Sequence, residues 1–321
     1  MIGTPLIEID GLVKRYPVRK GLLAREVGQV HAVEDVSFSI GRNEVLGLAG
    51  ESGSGKTTIG RMLLRLIEPT AGRILFDGDD VGRMDARTLQ AFRRRAQIIF
   101  QDPFASLDPL MSIGESIAEP LRIQGLASGS EVEDRVAALL DSVSLPRDFA
   151  KRRPEALSGG QRQRVVIARA LSVDPAFIVA DEPVSALDVS IQAQILALLE
   201  TIKSDRSLSL LFISHDIAVM EYVSDRIAVL YLGHLMEIGP SADVVASPRH
   251  PYTEALVSAV PGAGGRRIVL EGDVPNAMVP PSGCVFRTRC PYALSECAAS
   301  VPPLREVAPD HFKACIRDDK P

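Results

Sequence analysis

A glycine-rich stretch that ends in a lysine and a threonine is the part of this sequence best suited to chemistry. It follows the apolar run 45–49 and reads Gly50-Glu51-Ser52-Gly53-Ser54-Gly55-Lys56-Thr57, which fits the pattern G-x-x-x-x-G-K-[ST]. Such glycines let backbone N–H groups curl around phosphate oxygens, while the lysine reaches the terminal phosphates and the threonine hydroxyl binds Mg²⁺. A purely structural glycine turn is the alternative. The pattern predicts nucleotide binding by Ser52, Gly53, Ser54, Gly55, Lys56, Thr57 and Thr58.

Two adjacent acids, Asp181 and Glu182, close the apolar run 177–180. In a doubly wound sheet the carboxyl end of such a strand lies beside the phosphate loop. We predict that Asp181 holds Mg²⁺ through water and that Glu182 polarises the attacking water as a general base. A pair of acids that caps a helix before Pro183 is the plainer alternative.

Gln101 and His215 also follow strand-like runs, 97–100 and 208–213, so both should lie at the edge that carries Asp181. A neutral amide or imidazole orients water and contacts a γ-phosphate without burying a further charge. We predict a catalytic role for His215. We also predict that Gln101 binds the Mg²⁺ together with Thr57 and Asp181. His215 taken alone is also typical of an interior histidine.

A second anion-binding pattern is Leu157-Ser158-Gly159-Gly160-Gln161, which precedes a helix. Ser158 is suited to cap that helix while the glycines leave amides open to an anion. Because Lys56 already serves one γ-phosphate, we predict that residues 158–161 cover the nucleotide of a facing molecule. An ordinary glycine-rich helix entry is the alternative.

The elements that must position these residues alternate between short apolar strands and helices, which predicts an α/β fold with a largely parallel, helix-covered sheet. An apolar stripe predicts a helix from Thr57 that includes Leu66 and Ile67 and ends before Pro69. We expect a domain over 1–246 with a helical insertion at about 102–165, including a helix over 131–143. A flexible joint is predicted at Gly262 to Gly265, within a C-terminal module over 247–321.

Composition narrows the function classes. The chain has 321 residues, a formal charge of −5 and 46% hydrophobic residues. Because the net charge is negative, the protein has no overall positive field that would favour nucleic acid as a partner. No apolar run approaches the roughly 18 residues that a membrane-spanning helix needs, so any membrane role must come through a partner. The N-terminus lacks a secretion-signal pattern, and we expect a cytosolic, reducing location.

The four cysteines all lie near the C-terminus, as Cys284, Cys290, Cys297 and Cys315, in the spacing C-x5-C-x6-C-x17-C. Four thiolates suit zinc or an iron–sulfur cluster, whereas disulfides are uncommon in the cytosol. The absence of a C-x-x-C pair counts against a zinc ribbon. Free or disulfide-bonded cysteines remain an alternative.

In order and spacing, these motifs resemble those of ATP-binding cassette (ABC) ATPases. The resemblance implies a RecA-like P-loop NTPase core with an antiparallel β subdomain, and a head-to-tail dimer that sandwiches two ATP. It also implies that Glu182 is the general base, His215 the switch histidine, Asp188 a residue of the communicating loop and Tyr16 the aromatic that stacks on adenine. For Tyr16, a simple surface or core aromatic is the alternative.

A narrower resemblance, to ATPase subunits of oligopeptide and dipeptide importers and most of all to their F-type subunit, extends over nearly the whole chain. It is carried by residues 100–109, by His250-Pro251-Tyr252-Thr253 and by residues 283–291. It implies a second cassette, often a D-type subunit, two membrane permease subunits, an extracytoplasmic binding protein and a peripheral place at the cytoplasmic face of the membrane. It favours a [4Fe-4S] cluster at the cysteines over zinc. Nickel, glutathione or other cargo, a redox-regulated ATPase, and a nucleic-acid or ribosome-associated cassette are alternatives.

Overall fold

The protein is described by a computed structural model that covers residues 4–21, 25–260 and 267–318. The predicted joint at Gly262 to Gly265 lies outside the described residues. The strands are β1 (Ile7–Lys20), β2 (Arg25–Ile40), β3 (Val45–Ala49), β4 (Ala71–Phe76), β5 (Asp79–Asp80), β6 (Ala96–Ile99), β7 (Phe177–Asp181), β8 (Ser209–Ile213), β9 (Arg226–Tyr231), β10 (His234–Pro240), β11 (Arg305–Ala308) and β12 (His311–Lys313). The helices are α1 (Lys56–Leu63), α2 (Ala86–Arg95), α3 (Ile113–Ile123), α4 (Ser130–Ser142), α5 (Gly159–Leu171), α6 (Val189–Arg206), α7 (Ile217–Val223), α8 (Ser241–Ala246) and α9 (Pro251–Ser258).

The chain divides into two compact units, and the first contains Met1–Gly41, Val45–Arg83 and Phe212–Pro321. One of its sheets is antiparallel, with the order β2-β1-β4-β5. In β1 the buried Ile7 and Ile9 alternate with the exposed Glu8 and Asp10, as expected for a strand with one covered face. A second run of neighbouring strands is β11-β12-β10-β9-β3, in which only β3 and β9 pair in parallel.

The C-terminal part of the first unit is fixed by a buried carboxylate. Glu237 on β10 is 0% exposed and accepts hydrogen bonds from the backbone N–H groups of Arg249 and His250, at 2.7 and 2.8 Å. The ring Nε2 of His311 on β12 donates to the same carboxylate at 2.7 Å. Because a buried carboxylate needs such donors, this cluster fixes the start of α9 and the added strand β12. The sequence pattern did not predict β10, β11 or β12.

The second unit contains Arg42–Glu44 and Met84–Leu211. It holds β6 and β7, which pair in parallel, and the first part of β8. All five residues of β7 are buried, which is typical of a strand covered on both faces. The helix predicted over 131–143 is confirmed as α4, with Val132, Val136 and Leu140 buried.

The predicted end of the first helix is wrong. Helix α1 ends at Leu63, and Leu66, which the pattern placed on its apolar stripe, is 47% exposed. Arg65 takes a left-handed conformation, with φ of 48°, and the N–H groups of Arg65 and Leu66 bond to the carbonyls of Met62 and Arg61. This is a Schellman ending, which normally carries glycine at the left-handed position. Because arginine is a good helix former, Arg65 carries no local signal that the helix ends there.

Candidate active site

The phosphate loop after β3 is shaped by glycines that no other residue could replace without strain. Gly50 has a φ of 146°, and a Cβ added to it would lie 2.2 Å from the carbonyl oxygen of Leu230 on β9. Gly55 has a φ of 104°, and its Cβ would lie 2.4 Å from the carbonyl oxygen of Ala32 on β2. Both ends of the loop therefore lie against the backbone of neighbouring strands. These strands belong to the first unit, so contacts within that unit fix the conformation of the loop.

Lys56 lies inside that curl. It is 6% exposed, and its Nζ donates to the carbonyl oxygens of Gly50 and Glu51 at 2.7 and 2.8 Å. Helix α1 begins at Lys56, and no side chain caps it at Gly55. The first amides of α1 therefore lie at the same place as a buried lysine ammonium, which is an arrangement suited to a phosphate group.

The other predicted nucleotide-binding residues of the first unit surround this curl or lie on the antiparallel sheet. Ser54 is buried, Thr57 and Thr58 are half-buried at the start of α1, and Ser52 and Gly53 are exposed. Tyr16 lies on β1 and is 38% exposed, with Lys14 Nζ 5.0 Å from its ring centroid. The ring is thus accessible for stacking, as the adenine prediction requires. His215 is exposed in the segment between β8 and α7.

In the second unit, Gln101 and Glu182 are in contact. Asp181 ends β7 and is 4% exposed, and Glu182 follows it with a φ of 47°. The Glu182 side chain accepts a hydrogen bond of 2.8 Å from Nε2 of Gln101. A non-glycine residue in the left-handed region stores strain, a feature that is common at functional sites. The structure thus brings together two of the predicted site residues that lie far apart in the sequence.

The predicted capping role of Ser158 is confirmed. Its hydroxyl accepts from the N–H of Gln161 at 3.4 Å, and Gln161 Oε1 accepts from the N–H of Ser158 at 3.0 Å, which is a capping box at the start of α5. A Cβ on Gly160 would lie 2.5 Å from the side chain of Ile191, so α6 leaves no room for a larger residue. Gly159 faces Leu187, and Asp188 is exposed directly before α6.

The four cysteines of the C-terminal region line one small cavity, and none forms a disulfide. Burial raises the pKa of the Cys290 thiol to about 11, and burial together with the neighbouring cysteines raises the pKa of Cys284. In the described part of the chain, no three His, Cys, Asp or Glu side chains lie close enough to hold a single metal ion. The donor set suits a thiolate-bound group, and a multi-iron cluster needs more widely spaced sulfurs than one zinc ion does.

Three residues make contacts at the phosphate loop for which the sequence predicts no role. Glu51 forms an ion pair with Arg289, in which Oε2 of Glu51 lies 2.8 Å from Nη1 of Arg289. The backbone N–H of Glu51 donates a hydrogen bond of 2.9 Å to the Tyr252 hydroxyl. Tyr252 and Arg289 lie in the segments that carry the resemblance to importer subunits, but their sequence context predicts no role for them. Because both residues lie about two hundred positions or more from Glu51, no local sequence pattern indicates that they contact it.

Comparisons with known proteins agree with this geometry. Residues 33–185 match the family described as ABC transporter, and residues 236–297 match the family described as oligopeptide/dipeptide transporter, C-terminal region. A peptide import ATP-binding protein of Brucella ovis is 56% identical over 99% of this chain and 100% of its own length. The chain belongs to the ABC transporter family. It is the ATP-binding cassette of that family, an ATPase.

Further ABC proteins give the same assignment. An oligopeptide transport ATP-binding protein of Bacillus subtilis, AppF, is 47% identical over 97% of this chain and 96% of its own length. The dimeric structure of a post-hydrolysis state of an ATP-binding cassette, bound to ADP and Pi, is 31% identical, with a TM-score of 0.65 over 73% of this chain and 98% of that one. The predicted P-loop NTPase fold is therefore confirmed. Among the described residues, no helix of this cassette is long and apolar enough to cross a membrane.

Proposed function

We propose that this cassette hydrolyses ATP to power the import of di- or oligopeptides through partner membrane subunits. The observation that carries the proposal is the presence on one chain of an ABC cassette over 33–185 and an oligopeptide/dipeptide transporter C-terminal region over 236–297. The full-length relatives named for peptide import support the same cargo class. The cassette then acts at the cytoplasmic face of the membrane, bound to two permease subunits that receive cargo from an extracytoplasmic binding protein.

In the first unit, the proposed roles follow from the phosphate loop. The amides of Ser52, Gly53, Ser54 and Gly55 bind phosphate oxygens, together with Lys56 and Thr58, and the Thr57 hydroxyl binds Mg²⁺. Lys56 already lies within the curl, so an incoming phosphate replaces carbonyl oxygens as its acceptor. Tyr16 stacks on adenine, and His215 contacts the γ-phosphate.

In the second unit, the proposed chemistry centres on Glu182. Its carboxylate accepts the proton of the attacking water, and Asp181 and Gln101 bind the Mg²⁺. The hydrogen bond from Gln101 supports this role, because it holds the carboxylate in one orientation. The segment of Ser158, Gly159, Gly160 and Gln161, in which Ser158 is exposed and the other three are half-buried, binds the ATP of a second cassette in a head-to-tail dimer, together with the exposed Asp188. A D-type subunit is the proposed partner.

Reconstitution tests the proposed function. The chain is purified with the permease, cassette and binding-protein subunits encoded beside its gene, and ATP hydrolysis and uptake are measured in proteoliposomes with di- to pentapeptides, nickel or glutathione. We expect peptide-loaded binding protein to stimulate hydrolysis and uptake, with both lost in the Glu182→Gln variant. Stimulation by nickel or glutathione alone would contradict peptide cargo. Co-purification with nucleic acid instead of membrane subunits would contradict import.

We further propose that Cys284, Cys290, Cys297 and Cys315 hold a [4Fe-4S] cluster. The four thiols line the same cavity and none forms a disulfide, which supports a shared ligand. The raised pKa values of Cys284 and Cys290 mean that metal binding must release their protons. When bound, such a cluster cross-links a segment with little regular secondary structure and supplies a redox-active centre.

Elemental analysis of anaerobically purified protein tests the cluster. We expect about four iron and about four sulfide per chain, and a loss of both in the Cys290→Ser variant. A Ser295→Ala variant, at an exposed serine in the same segment, serves as the control. About one zinc per chain, or no bound metal, would contradict the cluster.

A further inference from the structure

The phosphate loop carries an acid that the chemistry of the loop does not require. Glu51 is the second residue of the loop, and its carboxylate would repel the polyanionic triphosphate that the surrounding amides and Lys56 attract. A carboxylate at that position therefore weakens nucleotide binding unless its charge is neutralised. The structure shows how this is achieved.

The neutralising group is Arg289, from the cysteine-containing segment. Its Nη1 lies 2.8 Å from Oε2 of Glu51, and the arginine side chain is only 10% exposed. The contact is a charge-assisted hydrogen bond between a largely buried cation and a carboxylate that is 29% exposed. Both residues belong to the first unit, so the contact lies within one compact body.

A second contact fixes the backbone of the same loop residue. The N–H of Glu51 donates to the Tyr252 hydroxyl at 2.9 Å, and its carbonyl oxygen accepts from Lys56 Nζ at 2.8 Å. All three polar groups of Glu51 are thus occupied, two of them by residues from the C-terminal region. The position of the loop amides is therefore tied to Tyr252 and Arg289.

The groups that hold Glu51 are themselves rigidly packed. Tyr231 on β9, Tyr252 on α9 and Phe286 are each at most 1% exposed, and their ring centroids lie 4.8 to 5.3 Å apart. The Arg289 guanidinium lies 5.8 Å from the centroid of the Tyr231 ring. Buried aromatic clusters of this kind keep side chains in single rotamers, so Arg289 and Tyr252 present fixed partners to the loop.

We infer that Arg289 and Tyr252 are positioning residues for nucleotide binding: Arg289 neutralises Glu51, and Tyr252 holds the loop backbone. The C-terminal region of this cassette thereby sets its affinity for ATP. This inference rests on the proposed role of the phosphate loop in nucleotide binding.

The test is a set of variants of the full chain, for which the Kd of a fluorescent ATP analogue with Mg²⁺ and the KM and kcat of hydrolysis are measured. We expect Arg289→Met to weaken binding and raise KM about tenfold, because one charge-assisted hydrogen bond is lost and the Glu51 charge is uncovered. We expect kcat at saturating ATP to stay within about twofold, since the hydrolytic groups are untouched. Arg287→Met is the matched control, because Arg287 lies two residues away and bonds to Ser282 instead of the loop.

A double variant distinguishes neutralisation from a general loss of structure. In the Glu51→Gln background there is no carboxylate to neutralise, so adding Arg289→Met should change affinity by less than about threefold. Tyr252→Phe keeps the buried ring and removes only the hydroxyl, and we expect it to weaken binding about fivefold even if Arg289→Met folds poorly. Wild-type affinity in both Arg289→Met and Tyr252→Phe, or the same tenfold loss from Arg289→Met in the Glu51→Gln background, overturns the inference.

Lys56→Ala separates this inference from the proposed function. If Lys56→Ala keeps normal affinity, the nucleotide-binding role of the loop fails and this inference fails with it. If Lys56→Ala loses binding while Arg289→Met and Tyr252→Phe do not, only the positioning role fails.

Discussion

The amide of Gln101 donates a hydrogen bond of 2.8 Å to the carboxylate of Glu182, across 81 residues of sequence. Glu182 sits directly after β7 in a left-handed conformation, with φ of 47°. The backbone and the side chain of this acid are therefore both constrained. Such constraint is expected of a general base, because a carboxylate that is already oriented needs no reorganisation in the transition state.

Replacement of Glu182 by glutamine should separate binding from hydrolysis. The variant keeps the size of the side chain and loses the basic oxygen, so we expect kcat to fall by about a thousandfold while ATP affinity is retained. Single-turnover hydrolysis and ATP-dependent dimerisation check this. Glu133→Gln, at an exposed acid on α4, is the control. Normal steady-state turnover in the Glu182→Gln variant would remove Glu182 as the base.

Removal of the Lys56 ammonium should abolish tight nucleotide binding. Lys56 is buried within the loop, and in its proposed role the ammonium attracts the phosphate there, so we expect Lys56→Ala to lower ATP affinity at least about tenfold. Arg61→Ala, at an exposed residue of the same helix, should bind normally. Equilibrium binding of a fluorescent ATP analogue is the measurement, and equal affinities for the two variants would contradict the assignment.

A negative charge at Ser158 should block hydrolysis without unfolding α5. Aspartate caps helices as well as serine does, so Ser158→Asp keeps the cap but, in the proposed head-to-tail dimer, presents a charge to the nucleotide of the facing cassette. We expect dimer-dependent ATPase activity to fall about a hundredfold or more, because like charges brought together cost several kcal/mol. ATP binding to a single chain should be unchanged.

The chain offers a matched control for the Ser158 experiment. Ser112 caps α3 with the same capping box, formed there with Glu115. A Ser112→Asp, Glu115→Gln double variant, which gives α3 the same Asp and Gln pair that Ser158→Asp gives α5, should therefore leave ATPase activity at the wild-type level. Equal loss of activity in both variants would indicate a folding defect and would contradict a trans role for Ser158.

Stability should fall in mild acid because of His250. This residue is fully buried, and burial lowers its pKa from 6.5 to about 4. The unfolded chain therefore binds a proton between these pH values while the folded chain does not, so stability present above about pH 6.5 is lost as the pH falls toward 4. Over this pH range the unfolding free energy should fall by about 3 kcal/mol, because His250 of each chain takes up one proton on unfolding.

Urea unfolding across that pH range, in wild type and in His250→Asn, is the measurement. His250 caps α9 by accepting a hydrogen bond of 3.1 Å from the N–H of Tyr252, and asparagine can also cap a helix while it does not titrate there. Between pH 6.5 and 4, the slope of the unfolding free energy against pH should therefore be smaller in the variant than in wild type, by the equivalent of about one bound proton. An unchanged slope would contradict this assignment and point to other groups near His250, which include the charged Glu237 and Lys313.

Much of the candidate site could be predicted because its signals are local. The phosphate loop combines glycines, a lysine and a threonine within eight positions, and β7 is an apolar run that ends in two acids. The apolar run 45–49 forms strand β3 with the same bounds. The end of α1 was not predictable from pattern, because arginine, a good helix former, occupies the left-handed position at Arg65.

The sequence by itself determined which residues are chemically able to bind phosphate and to cap a helix, since glycine spacing and side-chain type act over a few residues. Only the tertiary structure decided that Arg289 and Tyr252 hold Glu51, and that Gln101 meets Glu182. These pairs join residues far apart in the chain. Their contacts follow from how strands and helices pack, and no local pattern encodes that.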